Sequence, residues 1–427
     1  MRPLPRPVLP LLAGLLLALL CACSAHAPTP PREPPVLRVG TSGDYPPFST
    51  LSDGQVSGFD AELLQAFAAE RGYRLEWVRF RWPELVADLG AHRFEVAASG
   101  LTPRPERSLV GRYTVPVARN GALLLLRRPA WAPAPGGEGP LALLRALDRP
   151  EFRLVVNRGG HLERVARAHF QKAQITTIPD NTAVREALVS GQADAALTNI
   201  IEGPRWAEGL SGLERVGPFT RDVVALYVEP SRAELTAELD TWLLGAEAGG
   251  VLERLRARWL GPAAQGATAT PVSALLVATA ERLALMPWVA EAKRRTGGPI
   301  EVPAQEARVL EAARKEAREA AAAQGLPAPS EPALTAFFQA QMDAAKQLQL
   351  RTPPSDAATP VHSLDEELRP ALARISARMS LLVPRVPGGL EREAVRREAR
   401  ETLAASGLQE EEIDRLAEAL GALGAAR

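Results

Sequence analysis

Residues 152–203 read FRLVVNRGGHLERVARAHFQKAQITTIPDNTAVREALVSGQADAALTNIIEG and contain the pattern that decides the fold. Three apolar, β-rich runs alternate in this stretch with two runs of helical spacing: 152–156, 161–172, 174–178, 182–190 and 193–198. Strands that alternate with helices predict an α/β domain with a parallel sheet. A ligand is then expected beyond the carboxyl ends of the strands.

Two polar residues, Asn157 and Glu202, follow strands of this unit. Asn157 is close to the Gly159-Gly160 turn, whose small residues expose backbone N–H groups. A carboxyl group beside such a turn suits an anionic ligand that must also receive a proton.

Length and composition set wide limits on the function. The chain has 427 residues, enough for two or three domains, and its 50 basic residues balance its 50 acidic ones. This balance gives no general attraction to nucleic acid. The five His residues show no metal-ligand spacing, and Gly159-Gly160 lacks the spaced glycines and the Lys of a nucleotide loop. We therefore expect no metal or cofactor, and small molecules as partners.

The N-terminus has the pattern of an export signal. Arg2 and Arg6 precede an apolar run, 8–20, that is too short for an ordinary membrane span. Residues 1–23 resemble a bacterial lipoprotein signal in which Cys23 becomes lipidated. The alternative is simple cleavage after Ala27, although a proline would then follow the cut. The resemblance predicts a periplasmic protein whose membrane contact is the lipid anchor, and the oligomeric state stays open.

The remaining chain divides by composition. We expect a Pro-rich tether at 24–35, a two-lobed α/β domain at 36–262, a linker at 263–271 and an all-α domain at 272–424. In the α/β domain, two crossings between the lobes would allow hinge closure on a ligand. Asp60 is expected to cap a helix, and the Pro/Gly-rich stretch 129–139 to form a loop.

The α/β domain resembles the periplasmic solute-binding proteins, through Gly58-Phe-Asp60 and the run SGLTPRPER at 99–107. Within that group it is most similar to the cyclohexadienyl dehydratases, through TSGDYPPF at 41–48 and TNIIE at 198–202. The resemblance implies that Glu202 is the general acid and that Arg107 binds a carboxylate. It implies a substrate pocket with these further members: Asp44, Trp82, Ser99, Thr102, Asn157, Gly160, His161, Thr198 and Asn199.

The chemistry of that reaction suits a buried carboxyl group. Prephenate loses CO2 and its ring hydroxyl together, and hydroxide is a poor leaving group, so an acid must protonate it. Four positions depart from the dehydratase pattern: Asn199 replaces Asp, His161-Leu162 replaces a Thr-Asn pair, and Ala122 replaces Lys. Loss of the Asp carboxylate favours prephenate over its amino analogue arogenate.

The all-α domain resembles the secreted helical chorismate mutases. The resemblance rests on AERL at 280–283, FFQAQM at 337–342 with Lys346, and RPAL at 369–372. It implies that the site is lined by Arg282, Lys293, Gln349 and Arg378, with Arg308 in place of a cation missing near Val302 and Gln305. The pericyclic reaction of chorismate needs clamped carboxylates and positive charge beside the breaking ether bond, but no acid or base.

The two resemblances name consecutive steps of one pathway. They predict a bifunctional, exported enzyme of phenylalanine biosynthesis. The alternative is a solute-binding lipoprotein for an amino acid or small anion, with a degenerate helical domain.

Overall fold

The computed structural model describes residues 33–127, 140–355 and 361–425. The predicted lipidation site Cys23 and the predicted loop 129–139 lie outside the described residues. Over the described range, the chain forms two α/β lobes followed by a bundle of helices.

The first lobe is built on a five-stranded sheet with the strand order β5-β1-β6-β15-β7. Strand β1 pairs parallel with β5 and β6, whereas β15 runs antiparallel to β6 and β7. The strand bounds are β1 Val36–Thr41, β5 Arg74–Arg79, β6 Val96–Ala97, β7 Arg112–Tyr113 and β15 Tyr227–Val228, with a small sheet of β2 Asp44–Tyr45, β3 Ser49–Ser52 and β4 Gln55–Ser57 beside them. The helices of this lobe are α1 Phe59–Arg71, α2 Leu85–Gly90, α3 Pro105–Ser108, α8 Ala233–Ala248 and α9 Val251–Trp259.

The second lobe contains the stretch that opened the sequence analysis. Its sheet has the order β11-β10-β12-β9-β13, with β10 parallel to both β11 and β12. The strands are β9 Ala122–Arg127, β10 Arg153–Asn157, β11 Gln174–Ile178, β12 Ala195–Asn199 and β13 Leu213–Val216. The helices are α4 Pro140–Leu147, α5 His161–His169, α6 Asn181–Val189 and α7 Glu202–Ala207. The predicted strand–helix alternation is confirmed.

Two strands carry the chain between the lobes. Strand β8, Ala118–Asn120, leaves the first lobe, and β14, Asp222–Val224, returns to it. The two strands pair antiparallel, so the crossings lie side by side. This arrangement is the hinge of a two-lobed binding protein, as the sequence predicts.

Every element from Pro271 onward in the described residues is helical. The α-helices are α10 Pro271–Ala284, α11 Met286–Thr296, α12 Pro303–Ala323, α13 Glu331–Arg351, α14 Arg369–Leu382, α15 Arg392–Leu403 and α16 Glu410–Ala425. The sequence predicts one helix over 272–294 with a kink at Pro287; the structure has instead a break at Leu285 between α10 and α11. Residues 271–296 are long and apolar enough to cross a membrane, but 72% of their most apolar window is buried inside the protein, as in a core helix.

The helical part packs directly on the first lobe. One continuous cluster of buried apolar side chains includes Val115 of the lobe and Leu275 and Met379 of the helices. The linker is held as well, since the backbone N–H groups of Thr268 and Ala269 donate to the Glu247 carboxylate.

Asp60 does not cap helix α1, in contrast to the prediction. The capping residue is Gly58, whose φ of +122° and contact with the Phe48 carbonyl leave no room for a side chain. Asp60 is instead buried and accepts a hydrogen bond of 2.6 Å from the Gly100 N–H. Burial raises the pKa of Asp60 to about 7.

Candidate functional site

A small closed cavity of about 30 Å³ lies between the two lobes. We call it the interlobe cavity. The residues that line it are Tyr45, Trp82, Gly100, Thr102, Arg107, Asn120, Asn157, Gly160, His161, Leu162, Asn181, Asn199 and Asp222. Both lobes and both crossing strands contribute to it. The cavity is therefore completed only when the lobes meet.

Hydrogen bonds across the cleft hold the lobes together. Arg104 donates to the carbonyls of Gly159 and Gly160 at 3.1 and 3.2 Å. Asn199 donates to the Tyr45 hydroxyl at 2.6 Å. A side chain at Gly159 would contact the backbone of Pro83 at 3.0 Å, so the turn approaches the opposite lobe closely. The structure is the closed form of the protein.

Glu202 begins helix α7 and is 1% exposed. Its carboxyl group accepts hydrogen bonds from the Thr198 hydroxyl at 2.7 Å and from the Asn181 amide. Burial, with a smaller contribution from Asp44, raises the pKa of Glu202 to about 8, against the lowering effect of those two hydrogen bonds. At neutral pH this carboxyl group holds a proton.

The carboxyl group of Glu202 is not on the cavity wall. It lies behind Asn181 and Asn199, which are on the wall and bond to it. The Asn199 side-chain oxygen also accepts from the N–H groups of Ile201 and Glu202 at 2.9 Å, which fixes the start of helix α7.

Most of the pocket residues predicted by resemblance do line the cavity: Trp82, Thr102, Arg107, Asn157, Gly160, His161 and Asn199. Asp44, Ser99 and Thr198 are not on the wall; Asp44 bonds to a wall residue, whereas Thr198 bonds to Glu202 and Ser99 to serines behind the wall. Asp44 accepts from the Trp82 indole at 3.3 Å, and Ser99 accepts from the Ser42 N–H at 2.9 Å.

Arg107 is 3% exposed and reaches the cavity from the short helix α3. Its guanidinium donates to the Thr102 carbonyl at 3.4 Å, and its own carbonyl accepts from the Tyr227 hydroxyl at 2.7 Å. A buried guanidinium at the wall of a closed cavity is a binding group for a carboxylate.

Sequence reasoning missed the pairing of His161 with Asp222. The imidazole Nε2 lies 3.1 Å from an Asp222 carboxylate oxygen, which also accepts from the Thr220 hydroxyl. These contacts outweigh burial and lower the pKa of Asp222. Within the described residues, the buried Nδ1 of His161 and the buried side-chain oxygen of Asn120 have no hydrogen-bond partner. Both belong to the cavity wall and can bind a polar ligand there.

Asn181 could have been found from the sequence, because it ends the Pro179-Asp-Asn181 turn. Asp222 had no local signal, since it lies on a crossing strand 61 residues from His161.

A second cavity, of about 290 Å³, lies among the helices. We call it the helical cavity. Its wall includes four cationic side chains and one carboxylate: Arg282, Lys293, Lys346, Arg369 and Glu306. Glu306 is engaged by Lys346 at 3.1 Å. The surplus of positive charge predicts an anionic ligand.

Two of the cationic groups, Arg282 and Lys293, are partly shielded from water, whereas Arg369 is half exposed and pairs with Asp365. Burial lowers the pKa of Arg282 to about 10, and its guanidinium donates to the Gln341 carbonyl at 3.0 Å. Burial and the charge of Arg369 lower the pKa of Lys293. Gln349 is buried and donates to the Ala345 carbonyl, while its side-chain oxygen has no partner among the described residues. Uncompensated buried cations are costly unless an anion binds beside them.

Three of the mutase-site predictions meet in this cavity: Arg282, Lys293 and Gln349. The eleven-residue spacing of Arg282 and Lys293 predicts that they share one helix face, but the break at Leu285 places them on the consecutive helices α10 and α11.

Two predictions are corrected. Arg378 does not line the cavity; it forms an ion pair at 2.6 Å with Glu281 of helix α10 and donates to the Tyr113 carbonyl of the first lobe. Arg308 is exposed, and Val309, one residue on, lines the wall instead. Arg369, the first residue of the RPAL motif, lines the cavity and pairs with Asp365.

Comparison with known proteins agrees with this geometry. The family "Bacterial extracellular solute-binding proteins, family 3" matches residues 37–262, and "Chorismate mutase type II" matches residues 273–350. Cyclohexadienyl dehydratase of Pseudomonas aeruginosa is 33% identical over 232 residues, which cover 53% of this chain and 84% of that one. L-cystine-binding protein TcyJ of Escherichia coli is 24% identical over 233 residues, 54% of this chain and 84% of that one.

Among solved structures, an ancestral amino acid-binding protein described as a precursor of cyclohexadienyl dehydratase is 27% identical, with a TM-score of 0.47 over 53% of this chain and 95% of that one.

The chain is therefore a two-lobed binding-protein fold joined to a helical mutase domain. It belongs to the bacterial extracellular solute-binding proteins of family 3, whose members are typically periplasmic, and it carries a chorismate mutase type II domain. The similarity of the front part to a dehydratase and the presence of the mutase domain support enzymatic activity in both parts. Among the described residues, no group of three His, Cys, Asp or Glu side chains is placed to hold a metal ion.

Proposed function

We propose that the chain is a bifunctional enzyme of phenylalanine biosynthesis. The helical cavity rearranges chorismate to prephenate, and the interlobe cavity converts prephenate to phenylpyruvate, or arogenate to phenylalanine. The observation that carries the proposal is Glu202, a buried carboxyl group that holds a proton beside a closed cavity containing an arginine.

The helical cavity has what the chorismate rearrangement needs. Its surplus cations can hold the two carboxylates of a folded substrate, and its amides can stabilise charge on the ether oxygen. Arg282 and Lys293 are shielded enough for their charge to act strongly on the substrate. No proton transfer is required of either residue.

The interlobe cavity supports elimination. Arg107 binds a carboxylate of the substrate, and Glu202 gives its proton to the departing ring hydroxyl as CO2 leaves. Because the closed cavity holds only about 30 Å³, the substrate enters when the lobes open and displaces the polar side chains in front of Glu202. Asn181 and Asn199 are the groups that must shift.

The cavity wall favours prephenate. Prephenate has two carboxylates and no amine, whereas arogenate has an ammonium group that would need a carboxylate partner. Position 199 carries a neutral amide, and the Asp222 carboxylate is already engaged by His161 and Thr220. We therefore propose prephenate as the preferred substrate.

The decisive experiment supplies chorismate, and separately prephenate, to the mature protein and identifies the products by mass spectrometry. Glu202→Gln should bind prephenate but lose phenylpyruvate formation, because glutamine keeps the shape and cannot donate the proton. Wild type that binds prephenate without turnover would instead support the alternative, a solute-binding lipoprotein.

We further propose export and lipid anchoring through Cys23, from the signal-like pattern of residues 1–23. Labelled palmitate should be incorporated into the wild-type protein and not into Cys23→Ser. Labelling of both proteins, or of neither, would contradict the anchor.

A further inference from the structure

The carboxylate-binding residue Arg107 lies on a segment that the mutase domain holds. We call residues 105–109 the clamp segment. It consists of the single-turn helix α3 and the residue after it. One helical turn has little stability of its own, since nucleation costs more than its hydrogen bonds return. The position of Arg107 therefore depends on what packs around the clamp segment.

The mutase domain forms hydrogen bonds with Ser108 and Leu109, the two residues that follow Arg107. The Ser108 hydroxyl donates to Glu281 at 2.8 Å. Arg374 donates to the carbonyls of Ser108 and Leu109 at 3.0 and 2.8 Å. A guanidinium that bonds the last carbonyls of a helix also faces the negative end of its dipole.

These contacts belong to a buried ionic cluster at the domain interface, in which the Nε atoms of Arg374 and Arg378 have no hydrogen-bond partner among the described residues. Glu281 uses its second oxygen for Arg378 at 2.6 Å, and the two side chains are 4% and 7% exposed. Arg378 also donates to the Tyr113 carbonyl at 2.5 Å, a few residues beyond the clamp segment. A buried ion pair stabilises a structure little compared with apolar packing, but it enforces one arrangement of its partners.

The α/β domain also holds this segment: Arg164 pairs with Glu106 at 3.8 Å, and the Arg104 carbonyl accepts from the N–H groups of Arg107 and Ser108. The Tyr227 hydroxyl bonds the Arg107 carbonyl, and the Arg107 side chain points away from the interface into the interlobe cavity. Helix α10 of the mutase domain therefore contacts the clamp segment through Glu281 and lines the helical cavity through the next residue, Arg282.

We propose that Glu281 and Arg374 are positioning residues for Arg107, so that tight carboxylate binding in the interlobe cavity requires the docked mutase domain. The inference rests on the proposed function only in taking a carboxylate as the ligand. Neither residue touches the substrate; each acts through the clamp segment.

The test uses the full chain with Arg374→Met. Loss of both carbonyl contacts should raise KM for prephenate about tenfold with kcat little changed, because a carboxylate contact serves ground and transition states alike. Turnover of chorismate by the same protein should stay within about twofold, which shows that the mutase domain is folded. Arg374→Lys, which can reach one carbonyl, should recover part of the affinity.

Arg385→Met is the matched control. Arg385 also reaches from the mutase domain to the α/β domain, where it donates to the Thr241 hydroxyl on helix α8, away from the clamp segment. It should leave KM for prephenate unchanged. If Arg374→Met and Arg385→Met raised KM for prephenate equally, the Arg374 contact would only help to dock the domains, and the proposal would be overturned. It would also be overturned if Arg374→Met left KM unchanged.

A double-mutant cycle separates positioning from structure. In an Arg107→Met background, Arg374→Met should change the Kd for phenylpyruvate no further, since the group that it positions is gone. Additive effects would contradict the proposal. Glu281→Gln should behave in this cycle as Arg374→Met does, and change the Kd only when Arg107 is present. Because calorimetry measures Kd without turnover, the result stands even if wild type proves to bind prephenate and never convert it.

Discussion

At the scale of the residue, both proposed sites contain ionisable groups whose pKa values are shifted by burial. Burial keeps Glu202 protonated near neutral pH, and it weakens the hold of Arg282 on its proton without removing it. The first group is suited to give a proton, and the second to remain a cation.

The dehydratase reaction should therefore depend on pH through Glu202. The pKa of about 8 means that turnover of prephenate is present at pH 6–7 and falls as pH rises through about 8, when the acid form is lost. Chorismate turnover by the same protein needs no proton and should stay level over that range, which makes it an internal control. A dehydratase rate that rises above pH 8 would exclude Glu202 as the acid.

The same carboxyl group should make the fold less stable in alkali. In the unfolded chain Glu202 ionises near 4.5, whereas in the folded protein it keeps its proton to about 8, so its stabilising contribution is complete below 4.5 and is lost as pH rises through about 8. Asp60, with a pKa of about 7, acts in the same direction. Urea unfolding should show the free energy of unfolding falling between pH 5 and 9, and falling less steeply in Glu202→Gln. An equal slope in both proteins would contradict the assignment.

In the mutase domain, Arg282→Ala should lower kcat/KM for chorismate by about 10²–10³, the usual effect of removing a shielded charge-stabilising group. Arg308→Ala is the matched control, because Arg308 is exposed on a helix of the same domain and does not line the helical cavity. It should change kcat/KM less than about twofold. A larger effect of Arg308 than of Arg282 would place the site elsewhere.

At the scale of the element, short turns are held in place by side chains from longer elements. Helix α1 provides Asp60 for the Gly100 N–H, and Gly100 adopts a φ of +60° at the wall of the interlobe cavity. Ser99 is fixed in the same way by the Ser42 N–H and lies 2.6 Å from the Ser49 hydroxyl.

Asp60→Ala should lower the free energy of unfolding by about 1–3 kcal/mol, because the buried Gly100 N–H loses its acceptor. Asp60→Asn keeps an acceptor oxygen and should cost less. Urea unfolding at pH 6 measures both. If the two variants are equally destabilised, the hydrogen bond is not the cause.

At the scale of the whole molecule, the proposed dehydratase reaction requires closure of the two lobes. Arg104 of the first lobe bonds two carbonyls of the turn at 159–160 in the second. Arg104→Gln should shift free protein toward the open form and raise Kd for phenylpyruvate about tenfold. Small-angle scattering should show a larger radius of gyration for the free variant.

Arg158→Gln is the control for closure. Arg158 is in the same turn, but it bonds the Thr177 hydroxyl and carbonyl within its own lobe. The variant should leave the radius and Kd unchanged. Identical behaviour of the two variants would show that charge near the cleft, and not the cross-lobe contact, sets the affinity.

The interlobe and helical cavities share no wall residue among the described parts of the chain. Prephenate is therefore expected to pass through solvent. A mixture of Glu202→Gln and Arg282→Ala chains should form phenylpyruvate from chorismate at the same steady rate as an equal concentration of wild-type sites. A much slower mixture would indicate direct transfer.

Much of the fold was predictable because its signals are local. The run 152–203 alternates strand and helix patterns so regularly that the second lobe follows from it, and the break before Pro287 follows from the proline. Asp60 was misjudged because its position resembles an N-cap, and the φ of Gly58 that excludes it appears only in the fold.

The amino-acid sequence by itself determined the α/β and helical division and the family motifs, and it predicted Glu202, Arg107, Arg282 and Lys293 as candidate site residues. Only the tertiary structure decided that Arg378 faces the other domain, that Asp222 meets His161, and that Glu202 lies one layer behind the cavity. The reason is physical: periodicity and turn residues act over a few positions, whereas burial and ion pairing depend on which distant segments come into contact.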